Sequence, residues 1–440
     1  MDCNLDIALK NFCEQQGFAR TYWIAYSGGL DSHVLLQLFA RLKKVLPLKV
    51  KAVHINHSLS ANALAWQAHC ANVCRGLAIE FVHATVQAKA QSGESPEEIA
   101  RDKRYEVLSG LLAPNDLLLT AHHQDDQAET LLLQLLRGAG PKGLAAMPAL
   151  KVCGVGWQAR PLLAFTRAEL LDYAQAQSLV WIEDESNGDL NFSRNYLRRE
   201  IMPLLKNRWP SVTATFARVA SHCAEMQSLC DETGAADLAA ARGSHADTLS
   251  VNYLLTLSAA RQRQVLRMWI KQLDYLVPDT VKLQQIQREI LGARADKNPH
   301  IAWKNVDCRR YRDDIFVMKR LRAGNAARIM PWDLQTPLHL AELGILHANL
   351  KPGEGLSAAC ENVTVRFRQG GEVCQLPKRN FTSSLKKLFW EWNVAPWERE
   401  RLPLIFVGDQ LAAAPGFFVG DAFSARDGEA GYVFSFEKYS

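Results

Sequence analysis

No stretch of this 440-residue chain reaches 18 consecutive apolar residues, so no membrane-spanning helix is expected. The ten cysteines are scattered and include no C-x-x-C pair. Cys70 and Cys74, four apart on an expected helix, read as small buried hydrophobes. The N-terminus, Met1-Asp2-Cys3-Asn4, lacks a basic region followed by an apolar core, so no signal peptide is expected. A reduced, cytoplasmic setting is the default that follows. Internal repeats and low-complexity tracts are absent too. Charge of one sign is scarce: the net is only +5. Through residue 215 there are 22 Lys+Arg against 21 Asp+Glu, and beyond it 29 against 25. The small excess toward the C-terminus favours a polyanionic partner there.

What is present is a strand–helix alternation over the first half. Residues 22–26, 50–55, 79–83 and 117–121 read as strands. Residues 34–42, 63–78, 96–112, 126–137 and 166–182 read as helices, with Thr166 as an N-cap. This pattern predicts an α/β fold, a parallel sheet with helices on both faces. Ligands of such folds bind at the carboxyl ends of the strands. From 212 to 292 the pattern is almost wholly helical. Residues 301–320 read as Arg-rich strands, 325–360 as irregular chain, and the remainder as a small α+β domain. Domains are expected at 1–215, 216–325 and 345–440.

Two motifs fall at strand ends. Ser27-Gly28-Gly29-Leu30-Asp31-Ser32 joins the first strand to the first helix. The glycines permit positive φ and close backbone approach, and the helix start offers free N–H groups to a phosphate. Ser27 and Ser32 add hydroxyl donors. Asp31 would repel a phosphate and suits the Mg²⁺ that accompanies ATP. The Lys of the G-x-x-x-x-G-K-[ST] loop is missing. The second motif is His122-His123-Gln124-Asp125-Asp126-Gln127-Ala128-Glu129-Thr130. Asp126 and Glu129 share a helix face, and carboxylates so clustered call for a cation, either a metal or an ammonium group. A histidine-only zinc site lacks a third ligand at suitable spacing.

The first motif resembles the pyrophosphate loop of the N-type ATP pyrophosphatases, whose fold is adenine nucleotide alpha hydrolase-like. The second, with Leu136-Arg137-Gly138-Ala139-Gly140, Gly143-Leu144, His54-Ile55-Asn56-His57, Ala100 to Tyr105, Arg160-Pro161-Leu162-Leu163, Asp184 to Asn187 and Arg194 to Arg198, resembles the tRNA(Ile)-lysidine synthases. The likeness covers roughly residues 22–205. Glu185 departs from it, standing where Pro is more usual.

That resemblance implies an ATP-dependent ligase. ATP would adenylate C2–O of the wobble cytidine in the isoleucine tRNA with a CAU anticodon, and the ε-amine of free L-lysine would displace AMP. It implies Ser27 to Ser32 as the nucleotide loop and Mg²⁺ on Asp31 and Asp126. Glu129 would receive the amine, His122 would contact the reacting nucleotide or phosphate, and Arg101, Arg104, Arg194 and Arg198 would hold phosphates or the developing charge. The two later domains would bind tRNA. Family members are often dimers. A tRNA thiolase or amide ligase of the same fold, or a non-catalytic tRNA-binding protein, are the rival readings. The tracts Arg309-Arg310-Tyr311-Arg312, Lys378-Arg379-Asn380-Phe381 and Lys386 to Trp390 offer interleaved basic and aromatic residues for RNA.

Overall fold

Strand β1 (Tyr22–Ala25) lies at the centre of a six-stranded sheet because Tyr22, Trp23 and Ile24 are all buried, as a strand covered on both faces requires. The computed structural model describes residues 4–16, 21–56, 62–86, 96–183, 188–294, 297–321, 329–341, 343–377, 379 and 381–439. The chain forms two compact units, Met1–Cys230 and Asp231–Ser440.

In the first unit, helix α1 (Asn4–Gln16) precedes β1. Then follow α2 (Leu30–Leu42), β2 (Val50–Asn56), α3 (Ala63–Gly76), β3 (Glu80–Thr85), α4 (Pro96–Gly110), β4 (Leu117–Leu119) and α5 (Gln124–Leu136). After the one-turn α6 (Pro141–Leu144), β5 (Leu150–Cys153) and β6 (Gly156–Ala159) form a hairpin. The sheet order is β3-β2-β1-β4-β6-β5, all parallel except β5. The order reverses direction between β1 and β4. Both motifs therefore sit at the switch point, where such folds open a crevice.

The α/β expectation holds, with additions. Helix α1 was not expected, although Leu5, Leu9 and Cys13, its buried residues at a spacing of four, carried the signal. The antiparallel β5 was missed as well. The helix expected over 166–182 is α7 (Arg167–Ala176), opened by a Thr166–Glu169 capping box. It stops early because the chain turns at Ser178 (φ 49°) and runs back to the first motif, where the Ile182 N–H donates to Gly28 O at 2.9 Å.

After α7 come α8 (Ser193–Tyr196), a π turn (Leu197–Ile201), α9 (Met202–Arg208) and α10 (Val212–Ala240). The boundary expected at 215/216 falls inside α10. In the second unit, α11 (Val251–Thr256), α12 (Ala259–Gln272) and α13 (Thr280–Gln285) pack with a four-stranded antiparallel sheet that includes the Arg-rich strand Val306–Tyr311. The stretch 325–360 is not irregular where it is described. It contains strands Met330–Pro331, Leu338–Leu340, Gly344–Pro352 and Leu356–Ser357. Gly344–Pro352 pairs along its whole length with Ala430–Lys438, a partner some eighty residues later that no local pattern reveals. Helices α14 (Leu385–Glu391) and α15 (Pro396–Arg399) complete this unit.

Candidate active site

The loop after β1 is built by its own serines. The Ser32 hydroxyl donates to Gly29 O at 3.0 Å and accepts from the Ser27 N–H at 3.2 Å. With its proton so placed, it also accepts from the Ser27 hydroxyl at 3.0 Å, and Ser27 Oγ accepts from the Gly29 N–H at 3.4 Å. These hydroxyls, expected as phosphate donors, also hold the turn in shape. Gly28 has φ 90°, and a Cβ placed on it would meet Ile182 Cδ1 at 2.8 Å and Cys70 Sγ at 2.9 Å. Gly29 caps α2 in an extended conformation, so the N–H groups of Leu30, Asp31 and Ser32 open the helix without intrahelical acceptors. These amides and the helix dipole make an anion cradle.

Asp31 stands at the edge of the cradle. Its Oδ2 lies 3.6 Å from His123 Nε2, while Oδ1 is buried and has no hydrogen-bond partner. A buried acceptor with nothing to accept from is costly unless a cation or donor arrives with the ligand.

The end of β4 supplies His122 and His123. His123 caps α5: its Nδ1 accepts from the Asp126 N–H at 3.4 Å, and Asp126 Oδ2 accepts from the His123 N–H at 3.1 Å. That leaves Nε2 as the protonated nitrogen, 3.4 Å from Asp126 Oδ2 as well as facing Asp31. Burial lowers the His123 pKa, but Asp31, Asp126 and Asp125 outweigh it and hold the imidazole above its ordinary value. His123 therefore links the two motifs, a role the sequence reading gave to no residue.

His122 behaves oppositely. Burial, reinforced by Arg160, Arg194 and Arg101, pushes it down to about 3 despite Asp126. It is a neutral imidazole. Gln158 Nε2 donates to Thr120 Oγ1 at 3.0 Å, and the same hydroxyl shares a hydrogen bond with His122 Nδ1 at 2.9 Å. As a neutral imidazole His122 carries one N–H donor and one acceptor nitrogen.

The acids of α5 already have cations. Glu129 accepts from Arg198 Nε at 2.7 Å and Nη2 at 2.8 Å, and from Arg194 Nε at 3.0 Å. Asp126 Oδ1 accepts from Arg194 Nη2 at 2.9 Å and Arg198 Nη2 at 2.8 Å. Burial raises the Asp126 pKa, but His123 and Arg194 pull it down to about 2. Asp125 is held by the Arg167 N–H at 2.9 Å and by Lys206. The cation anticipated from the clustered carboxylates is thus largely internal. Glu129 is not a free carboxylate, and both Asp126 oxygens are engaged. Among the described residues, no three His, Cys, Asp or Glu side chains are grouped to hold a metal. Arg198 is as fully engaged as Arg194. The two are four apart across α8 and the π turn, a spacing that puts both on one face toward the same acids.

Arg198→Ala should destabilise this unit. Glu129 is 2% exposed, and one guanidinium would remain for it. Because Arg198 is partly exposed and Arg194 persists, the loss should be about 2 kcal/mol, below the range for a fully buried pair. In thermal unfolding this is a fall of roughly 4–8 °C, and adding Glu129→Gln should return part of it. No change in either variant would contradict the network.

Arg104 lies on α4 with its guanidinium 5.6 Å from the Tyr105 ring; Arg101 and Lys151 approach the same ring at 5.2 and 5.1 Å. Burial lowers the Arg104 pKa, and Arg101 and Arg194 lower it further. Beside them a hollow of about 480 Å³ is lined by Arg101, Tyr105 and Lys151, among others. Arg160 is 3% exposed, donates to Pro148 O at 2.6 Å, and leaves its Nε without a partner. Arg101 and Lys151 share the lining of the hollow with Asp102 and Glu106. The residues Asp184 to Asn187 and His57 lie outside the described residues.

Comparison with known proteins converges on one group. A PP-loop domain family matches residues 1–205, a TilS substrate binding domain family 249–316, and a TilS substrate C-terminal domain family 363–436. A tRNA(Ile)-lysidine synthase of Coxiella burnetii is 43% identical over 96% of this chain and 92% of its own. The chain belongs to the tRNA(Ile)-lysidine synthase family. Other members are similar at full length. The Methylococcus capsulatus enzyme is 41% identical over 90% of this chain and 91% of its own, and that of Yersinia pseudotuberculosis is 37% identical over 98% and 97%. Family membership brings ATP use with the PP-loop domain. No helix among the described residues is long and apolar enough to cross a membrane.

Of the basic tracts expected to meet RNA, the first is divided by the structure. Arg310 is buried and donates Nη1 to the carbonyls of Leu291 and Ala293 at 3.0 and 2.7 Å, closing the end of a helix. Arg309 pairs with Asp307 at 3.1 Å. Arg312 remains toward the surface. In the third tract Phe389 is core, whereas Lys386, Lys387 and Trp390 are exposed. Lys378 and Asn380 lie outside the described residues.

Proposed function

We infer that this chain ligates lysine to C2 of the wobble cytidine in the CAU-anticodon isoleucine tRNA, in two steps at the switch-point crevice. The observation that carries the reading is the juxtaposition, through His123, of the phosphate cradle with the Arg194–Arg198–Asp126–Glu129 network, in a chain of this family.

In the first step the cytidine oxygen attacks the α-phosphate of ATP and pyrophosphate leaves. The cradle amides of residues 30–32 hold the phosphates. Arg194 and Arg198, oriented by Asp126 and Glu129, face developing negative charge, and neutral His122 offers a polar, uncharged contact to the reacting group. A Mg²⁺ ion fits Asp31, whose Oδ1 is buried and unpartnered; Asp126, fully engaged by arginine and backbone, does not fit as a second ligand. Held by Asp31, such an ion would neutralise phosphate charge.

In the second step the ε-amine of free lysine attacks C2 and AMP leaves. That amine has a reference pKa of about 10.4, so it must lose a proton before attack. An incoming ammonium group competes with the guanidiniums for the oxygens of Glu129 and Asp126, and Glu129 serves as the proton acceptor when an arginine yields. The second unit is assigned to holding the tRNA body.

The test is product analysis with tRNA transcript, ATP and lysine. Pyrophosphate release that needs tRNA, and AMP release that needs lysine, are expected. Turnover that requires a sulfur donor instead, or no turnover, would overturn the reading.

A further inference from the structure

Within the tract Lys386 to Trp392, the aromatic residues divide. Phe389 is fully buried, and Trp392 stacks on Phe417 with centroids 5.4 Å apart. Trp390 leaves 62% of its surface exposed. A packing role does not account for a ring so open to water. It is nevertheless held: the Arg312 guanidinium lies 5.0 Å from its centroid and donates Nη2 to Trp390 O at 2.7 Å. Trp390, Lys386, Lys387, Ser384 and Arg399 line a hollow of about 280 Å³. None of the five is acidic. The nearby acids Glu391 and Glu398 are paired with Arg379 and Lys438. Arg399 is fixed by donating to Val394 O at 2.8 Å and Tyr311 Oη at 3.0 Å.

An indole pinned by a guanidinium and flanked by two free-standing lysines and a second arginine is complementary to a base with its phosphates. A base inside a duplex has both faces covered by its neighbours, so only an unpaired nucleotide can stack here. In a folded tRNA the D and T loops largely pair and stack on each other, so the anticodon loop and the 3′ end are its most open single-stranded segments. Under the function proposed above, on which this inference rests, the anticodon loop is committed to the PP-loop crevice. We propose that Trp390, with Lys386, Lys387 and Arg312, is a stacking site for an unpaired nucleotide at the 3′ end of the substrate tRNA. The lysines take the adjoining phosphates.

The experiment compares wild type, Trp390→Ala and Trp390→Phe on two transcripts, one complete and one lacking the unpaired 3′ nucleotides. For the complete transcript, Trp390→Ala should raise KM about 5–150-fold with kcat unchanged, and Trp390→Phe should stay near wild type. The shortened transcript should show the same raised KM with wild type, and no further rise with Trp390→Ala. Because the ring is exposed, unfolding temperatures should coincide. Wild-type KM in Trp390→Ala would overturn the proposal, as would equal weakening toward both transcripts. Filter binding of the two transcripts decides the point even if no lysidine is formed, which separates this proposal from the functional reading.

Discussion

Replacing Asp31 with alanine should abolish tRNA-dependent pyrophosphate release, slowing it by about 10³-fold or more, while leaving the unfolding temperature unchanged or slightly raised. The two halves of that expectation share one cause. Asp31 Oδ1 is a buried acceptor with no partner, so the folded protein bears its desolvation without return until a cation and nucleotide bind. Removing the carboxylate relieves that cost. The lost contact to His123 is long, 3.6 Å, and contributes little. Asp31→Asn, which keeps shape but not charge, should be nearly as inactive. Wild-type turnover in either variant would refute the assigned role.

The second large effect is expected from Gly28→Ala. The backbone there has φ 90°, in a region where a Cβ is strained. The added methyl would press on Ile182 Cδ1 and Cys70 Sγ at under 3 Å, and the Ile182 N–H is what anchors Gly28 O. Either the loop shifts away from its cradle geometry or the 177–182 segment moves. A stability loss of about 1–3 kcal/mol is expected, together with ATP KM raised at least tenfold. Ser27→Ala should be milder, because Ser32 still accepts from the Ser27 N–H. Unchanged nucleotide affinity in Gly28→Ala would show that the turn does not need its present shape.

Much of this site was legible in the chain because its elements are local. The loop from Ser27 to Ser32 is six consecutive residues, and the acids from Asp125 to Glu129 lie on one helix. Strand–helix alternation alone placed both at sheet ends. What escaped was whatever depends on distant partners. His123 and His122 are adjacent and identical in composition. Burial lowers both; at His123 three carboxylates outweigh it, whereas at His122 burial prevails and nearby arginines add to it. The clustered acids were read as calling for a metal or an ammonium group, yet their counter-ions come from Arg194 and Arg198, more than sixty residues away. Arg310 looked like Arg309 and Arg312 in sequence and closes a helix end instead. In the C-terminal part, strand Gly344–Pro352 was invisible until its partner Ala430–Lys438 was placed beside it.

The central claim is that the amides opening α2 hold the phosphates of ATP beside Asp31. A crystal structure with a non-hydrolysable ATP analogue and Mg²⁺ tests it most directly. The β- and γ-phosphate oxygens should lie about 3 Å from the backbone nitrogens of residues 30–32, with a cation on Asp31 Oδ1. Phosphates seated elsewhere in the crevice, with the Ser27 to Ser32 turn empty, would contradict the account.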